Sequence, residues 1–518
     1  MEIIGDDAML AQLKSTTLLG LSVHLVDIEV DAAAGLPAWN IVGLPDTAVK
    51  ESKERVHTAI KNAGYEFPPR RIVVNLAPAY LRKEGPSFDL AIAIAILTVT
   101  EQLRCDNLDS YLFLGELSLD GSLRPVKGIL PISLEYSRSS YQLLVPAANQ
   151  EESAIGGTTT YGFQHLREVV HFLEHPAQYQ PVQVKLPEFS ALAAIPSPHD
   201  FLQIKGQTEA KRALEIAAAG GHNILMVGSP GSGKTMLSQA LPTILPPLTF
   251  AESLSISKIY SIAGLLPPNQ PLILQRPFRS PHHSASTASI IGGGRIPHPG
   301  EVSLSHHGVL FLDEFPEYRR EVLEALRQPL EDQEVTVSRV QAQVTFPCQF
   351  LLVAAMNPCP CGYYNDPHRE CTCTPGQLQK YRNKISGPLL DRFDLQLEVV
   401  PVTFQDLHRT TAEESSATIR QRVIAARELQ QKRFTQSGTI QNGAMTAAEI
   451  QQYCQLDEKS RKFLEQAFQK LGLSARAHNR ILKVARTIAD LANSETIQLS
   501  HLAEAIQYRT LDKKLWME

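Results

Sequence analysis

The segment Gly228-Ser-Pro-Gly-Ser-Gly-Lys-Thr235 fits the G-x-x-x-x-G-K-[ST] phosphate-loop pattern at every position. Its surroundings fit as well. The apolar run Ile224-Leu-Met-Val227 reads as a buried strand, and Met236-Leu-Ser-Gln-Ala-Leu241 continues as a helix. A strand, a glycine loop and a helix N-terminus together aim backbone N–H groups at one point, where phosphate oxygens are held. Glycine is required because a Cβ blocks that close approach. The expected nucleotide-binding set is therefore Gly228, Ser229, Pro230, Gly231, Ser232, Gly233, Lys234, Thr235 and the adjoining Met236. Lys234 is expected to reach the β and γ phosphates of ATP, and the Thr235 hydroxyl to bind Mg2+.

Hydrolysis also needs carboxylates, one for the metal shell and one to orient and deprotonate water. Val309-Leu-Phe-Leu-Asp313-Glu314 delivers two adjacent acids at the end of an apolar strand, Asp313 for the metal and Glu314 for the water. A third strand, Phe350-Leu-Leu-Val-Ala-Ala-Met-Asn357, ends on an amide suited to positioning water or sensing the γ phosphate. Ligands gather at such strand ends in a doubly wound α/β sheet. Arg392, in Leu389-Leu-Asp-Arg-Phe-Asp394, is placed to neutralise charge on a transferring phosphoryl group. Residue type alone leaves Asn357 equally readable as a turn residue and Arg392 as a surface cation.

The chain has 518 residues, too many for a single core, with 43% hydrophobic and 20% charged residues. A net charge of −5 gives no global attraction to nucleic acid or to an acidic membrane, so any such binding must be local. The longest apolar stretch, 90–99, is too short to span a bilayer, and the N-terminus has acids where a secretory signal needs cations. A cytoplasmic protein without a membrane partner is expected. Four segments are anticipated: a mixed α/β domain over 1–172, a proline-punctuated linker over 173–200, the nucleotide-binding core over 201–400 and a helical region over 401–518.

Four of the seven cysteines crowd together as Cys359-Pro-Cys361 and Cys371-Thr-Cys373. In a reducing compartment this pattern offers four thiolates for a structural zinc ion, with Asp366 and His368 as substitutes inside the loop. Four reduced cysteines in a loop are the alternative.

Beyond these motifs, the runs 43–60, 276–314, 357–364, 387–395 and 474–491 resemble the ComM/YifB family, magnesium-chelatase-like proteins of the AAA+ superfamily. The resemblance covers nearly the whole chain. It implies an AAA+ module with a helix-2 insert and a C-terminal helical lid. Arg392 becomes a finger acting on a neighbour's ATP, Arg476 (alternatively Arg480) the second sensor, and Gln207 a residue near adenine. A cation acting across subunits implies a ring, by analogy a homohexamer.

For this family the resemblance further implies a DNA helicase driving branch migration during homologous recombination in natural transformation, on single-stranded or branched DNA. Two hairpins are expected to face a ring's pore. The glycine-rich 289–295 carries Arg295, and the alternating 334–344 carries Arg339, each readable as a phosphate contact or as an ordinary solvated arginine. The N-terminal segment resembles the Lon-protease domain, of the ribosomal S5 domain 2-like fold. Ser87 in Lys83-Glu-Gly-Pro-Ser87 matches the nucleophile, but Leu130 stands where a catalytic lysine is needed, and Lys127 lies three residues away. The rival expectations are a chelatase-type motor that remodels a protein partner and an ATP-dependent protease.

Overall fold

The computed structural model describes residues 9–185, 198–267, 270–294, 297–339, 342–366, 369–407, 413–435, 438–471 and 474–511. It divides into two compact units. The first comprises 1–188, 253–273 and 338–344; the second comprises 189–252, 274–337 and 345–518.

A seven-stranded mixed sheet organises the first unit, in the order Ala38–Val42, Arg71–Ala77, Ser22–Ala33, Met9–Leu19, Tyr111–Phe113, Gln142–Pro146, Thr160–Phe163. Its longest pairing is antiparallel, from Met9 opposite Ala32 to Leu19 opposite Ser22. The two-residue turn closing it uses Gly20 at φ +61°, where a side chain is disfavoured. Helix Asp89–Val99 is buried on nearly every side, which explains why its sequence lacks an amphipathic period. Asp89 itself is fully buried. Arg55 Nε donates to it at 2.7 Å and the Leu117 N–H at 3.2 Å. Burial nevertheless raises its carboxyl pKa, against the pull of Arg55.

The Ser87 carbonyl accepts from the Gly115 N–H at 2.9 Å, inside the short 3-10 turn Pro86–Phe88. Leu130 is fully buried in helix Ile129–Tyr136, its N–H donating to Glu152 at 3.1 Å. Lys127 lies against Gly264.

The second unit contains a five-stranded sheet, all parallel, in the order Phe278–Arg279, Val309–Leu312, Leu351–Met356, Ile224–Val227, Leu395–Glu398. The three middle strands are buried along their whole lengths, so they read as continuous apolar runs. Helices Ser416–Arg433, Ala475–Leu491 and Leu499–Gln507 share one core with the sheet and with helix Thr208–Gly220. Among these helices Asp490 is almost fully buried. It is satisfied by Arg433 at 2.5 Å, Arg486 at 3.0 Å and Asn442 at 2.8 Å.

The expected ribbon over 334–344 lies within a two-stranded hairpin, whereas the expected hairpin tip over 289–295 begins in helix Thr287–Ile291, so the strand pairing there starts only at Gly292. Gly292–Gly293 pairs with His298–Pro299, and Arg295 lies outside the described residues. Glu334–Arg339 pairs with Ala342–Pro347, with Val335, Val337, Val344 and Phe346 buried on alternate positions. Arg339 ends its strand, and its side chain lies outside the described set. Among the described residues no helix is long and apolar enough to cross a membrane.

Candidate nucleotide site

The phosphate loop leaves the sheet where Val227 pairs with both Met356 and Glu398. The Gly228 N–H donates to the Met356 carbonyl at 3.1 Å, and a Cβ on Gly228 would lie 2.3 Å from the Val399 carbonyl oxygen. Gly231 and Gly233 adopt φ +81° and +91°, the left-handed backbone that curls the loop into the first turn of helix Lys234–Ala240. Lys234 folds back over this loop. Its Nζ donates to the Gly228 carbonyl at 2.8 Å and the Ser229 carbonyl at 3.0 Å, with Ser232 Oγ and Asn357 Oδ1 both at 3.4 Å. Burial lowers its ammonium pKa, with Asp313 acting the other way. Met236 is exposed on the same helix.

The acidic strand end arrives from Val309–Leu312. Thr235 Oγ1 donates to Asp313 Oδ2 at 2.9 Å, so the hydroxyl and the carboxylate expected around Mg2+ already touch. Glu314 has φ +50°, a left-handed conformation that is costly for a side-chain-bearing residue. Its Oε2 lies 3.0 Å from His283 Nδ1. His283 and Glu314 are 31 positions apart, and nothing in the local sequence pattern links them. Gln207 bonds the Ser232 carbonyl at 3.1 Å and the Val400 carbonyl at 2.7 Å, tying the phosphate loop to the chain leaving the last strand.

These residues fit a magnesium nucleotide. Lys234 spends its donors on the loop's own carbonyls, and space is open where a Cβ on Gly231 would point. The hydroxyl and carboxylate of Thr235 and Asp313 are hard oxygen ligands of the kind Mg2+ prefers.

Arg392 occupies a different neighbourhood. It pairs with Glu331, while its buried Nε has no partner among the described residues. Burial, then Arg480, Arg476 and Arg327, lower its pKa, so four guanidinium groups share one region. Arg476 reaches Asp391 at 3.5 Å; Arg480 reaches the Phe393 carbonyl at 3.3 Å and Asp394 at 3.6 Å. The two candidates for the second sensor thus meet the segment bearing Arg392. Asn223, which sequence reading passed over, wires this segment to the sheet. Its side chain donates to the Arg392 carbonyl at 3.1 Å and accepts from the Leu352 N–H at 2.9 Å. Fully buried His222 bridges Asp394 at 3.0 Å to Thr487 of the helical region at 2.7 Å.

The four sulfurs of Cys359, Cys361, Cys371 and Cys373 lie within 4.8 Å of one another, an arrangement compatible with a zinc site. His368 is outside the described residues.

Three family models match the chain. They are magnesium chelatase subunit ChlI over residues 200–407, subunit ChlI of Mg-chelatase over 28–149, and the ChlI C-terminal region over 413–509. The chain is 45% identical to the "Uncharacterized protein YifB" of Escherichia coli (strain K12), with 96% of both chains covered. It is also 45% identical to "Competence protein ComM" of Haemophilus influenzae, with 98% of both covered. A weaker similarity, 23% identity over 180 residues, relates 31% of the chain to 32% of Lon protease 2 of Bacillus subtilis. With a complete phosphate loop, a paired Thr235 and Asp313, and this near-full-length identity, the chain belongs to the ComM/YifB family of magnesium-chelatase-like AAA+ proteins.

Proposed function

We propose that this protein is an ATP-hydrolysing, ring-forming DNA motor, a helicase that promotes branch migration during recombination of incoming DNA in natural transformation. The observation behind this reading is that Lys234, Thr235, Asp313, Glu314 and Asn357 converge on one sheet edge, whereas Arg392 lies among Arg327, Arg476 and Arg480. One region is built to hold a triphosphate; the other is built to offer cations to one. A chain with both is completed by a second copy, which makes a closed homohexameric ring the natural assembly. The name of the ComM relative supports the link to competence.

Within the site Lys234 binds the β and γ phosphates in place of the loop carbonyls it now contacts, and Asn357 orients water. Glu314 accepts the water's proton, held at its position by His283. Bound Mg2+, held by Thr235 and Asp313, supplies charge neutralisation at the phosphates. Arg392 leaves Glu331 to approach the neighbour's γ phosphate, with Arg476 or Arg480 beside it. Gln207 borders the adenine. Arg295 and Arg339, repeated around a ring, give a basic channel that reads phosphates without reading bases.

One observation favours a second reading: all three matching models are named for magnesium chelatase, whose motor would remodel a protein partner. ATPase assays with and without single-stranded DNA, together with unwinding of a three-stranded junction, separate the two. DNA-stimulated turnover with junction unwinding supports the helicase; turnover indifferent to DNA and no unwinding would leave the chelatase-type motor. Proteolysis of casein would instead revive the Lon-like activity that the buried Leu130 speaks against.

A further inference from the structure

The stretch from Asn357 to Thr374 runs between strand Leu351–Met356 and helix Pro375–Arg382 without a strand or helix among its described residues. Loops of that length need a staple or a function to stay ordered. Of its cysteines only Cys359 is buried, so apolar packing does not supply the staple.

The sulfur geometry does. Cys359 Sγ is 3.3 Å from Cys361 Sγ and 3.7 Å from Cys371 Sγ, and Cys361 is 3.6 Å from Cys371. A disulfide brings sulfurs to about 2.05 Å. Four thiolates at about 2.3 Å around a tetrahedral zinc ion stand roughly 3.8 Å apart, close to the observed spacing. Backbone donors converge on the same sulfurs. The Cys361 N–H meets Cys373 Sγ at 3.4 Å, those of Tyr363 and Thr372 meet Cys361, and those of Gly362 and Tyr364 meet Cys359.

This loop also touches the phosphate loop. Gly362 has φ +88°, and a Cβ there would lie 2.7 Å from Cδ of Pro230. Tyr364 and Asp366 line a cavity together with Gly228, Ser229 and Val400. The loop is held in turn by Arg369, whose Nη1 donates to the Tyr363 hydroxyl at 2.7 Å and whose N–H donates to Asp366 at 3.1 Å.

We propose that Cys359, Cys361, Cys371 and Cys373 bind one structural Zn2+ as thiolates, releasing their protons to solvent, and that the metal holds Gly362 against Pro230 as a wall of the nucleotide site. The second half of this proposal rests on reading 228–235 as a nucleotide site; the first half does not.

The test is zinc content by native mass spectrometry of the full chain, with affinity for a fluorescent ADP analogue measured in parallel. One zinc per chain is expected, none in the Cys371→Ser/Cys373→Ser variant, and a tetrahedral thiolate spectrum when cobalt(II) replaces zinc in the unaltered chain. Gly362→Val should keep its zinc and lose about tenfold or more in nucleotide affinity. A zinc-free unaltered chain, or zinc retained by the double variant, overturns the metal site. Should that variant fail to fold, the cobalt spectrum of the unaltered chain decides. Native affinity in Gly362→Val overturns the wall. Native affinity in Lys234→Ala would overturn the nucleotide reading while leaving the zinc result standing.

Discussion

Replacing His283 by alanine removes the ion-pair partner that the Glu314 carboxylate has among the described residues. The size of the effect follows from exposure. His283 is 34% and Glu314 56% exposed in their side chains, so the pair is screened by solvent and contributes on the order of 1 kcal/mol or less. Converted to a barrier, 1 kcal/mol is about a fivefold change in rate. His283→Ala should therefore lower kcat about two- to fivefold and leave KM for ATP unchanged, because the phosphate loop is untouched. Glu314→Gln sets the scale for comparison. It keeps the side-chain shape, removes the base and should cost about 100-fold or more, with nucleotide binding retained. Single-turnover hydrolysis measured beside equilibrium nucleotide binding distinguishes these outcomes. A loss in His283→Ala as deep as that in Glu314→Gln would refute the reasoning, since an exposed pair of about 1 kcal/mol accounts for no more than about a fivefold loss. So would an altered KM with unchanged kcat.

Two further expectations concern other parts of the chain. Asp490→Ala leaves Arg433 and Arg486 without their buried counter-ion and should destabilise the second unit by about 3–5 kcal/mol; urea unfolding showing less than about 1 kcal/mol would contradict it. Arg339→Ala should weaken DNA binding equally for all sequences and reduce the salt dependence by about one phosphate contact, whereas an unchanged salt slope removes this hairpin from the DNA path.

The candidate nucleotide site is legible in part because its residues are contiguous: glycines at positions where the backbone takes φ above zero, and two acids at the end of an apolar strand. The alternation over 334–344 also marks a ribbon, which the structure carries on to Pro347, with Val335, Val337, Val344 and Phe346 buried. What escaped notice depends on residues distant in sequence. His283 meets Glu314, Asn223 meets Arg392, and Gly362 meets Pro230, all through the fold. Composition does not reveal that residues 253–273 and 338–344 group with the N-terminal unit, because an excursion and return leaves no local mark. In the first unit, Ser261 of the excursion bonds buried Glu152 at 2.5 Å. The assignment of Arg476 or Arg480 as a second sensor came from resemblance, and the structure adds their contacts with residues 391–394.

The central claim is that each ATP is hydrolysed with a cation lent by another copy. Mixing two inactive variants tests it most directly. Lys234→Ala cannot hold nucleotide but still offers Arg392; Arg392→Ala holds nucleotide but offers no finger. Combined in equal amounts and allowed to exchange, half the chains present a working site and half of their neighbours present a working arginine, so about a quarter of the junctions are complete. Steady-state ATPase activity should rise from near zero in each variant to roughly that fraction of the unaltered protein. Activity that stays at the level of the separate variants, in mixtures shown to co-assemble, would contradict hydrolysis across the subunit boundary.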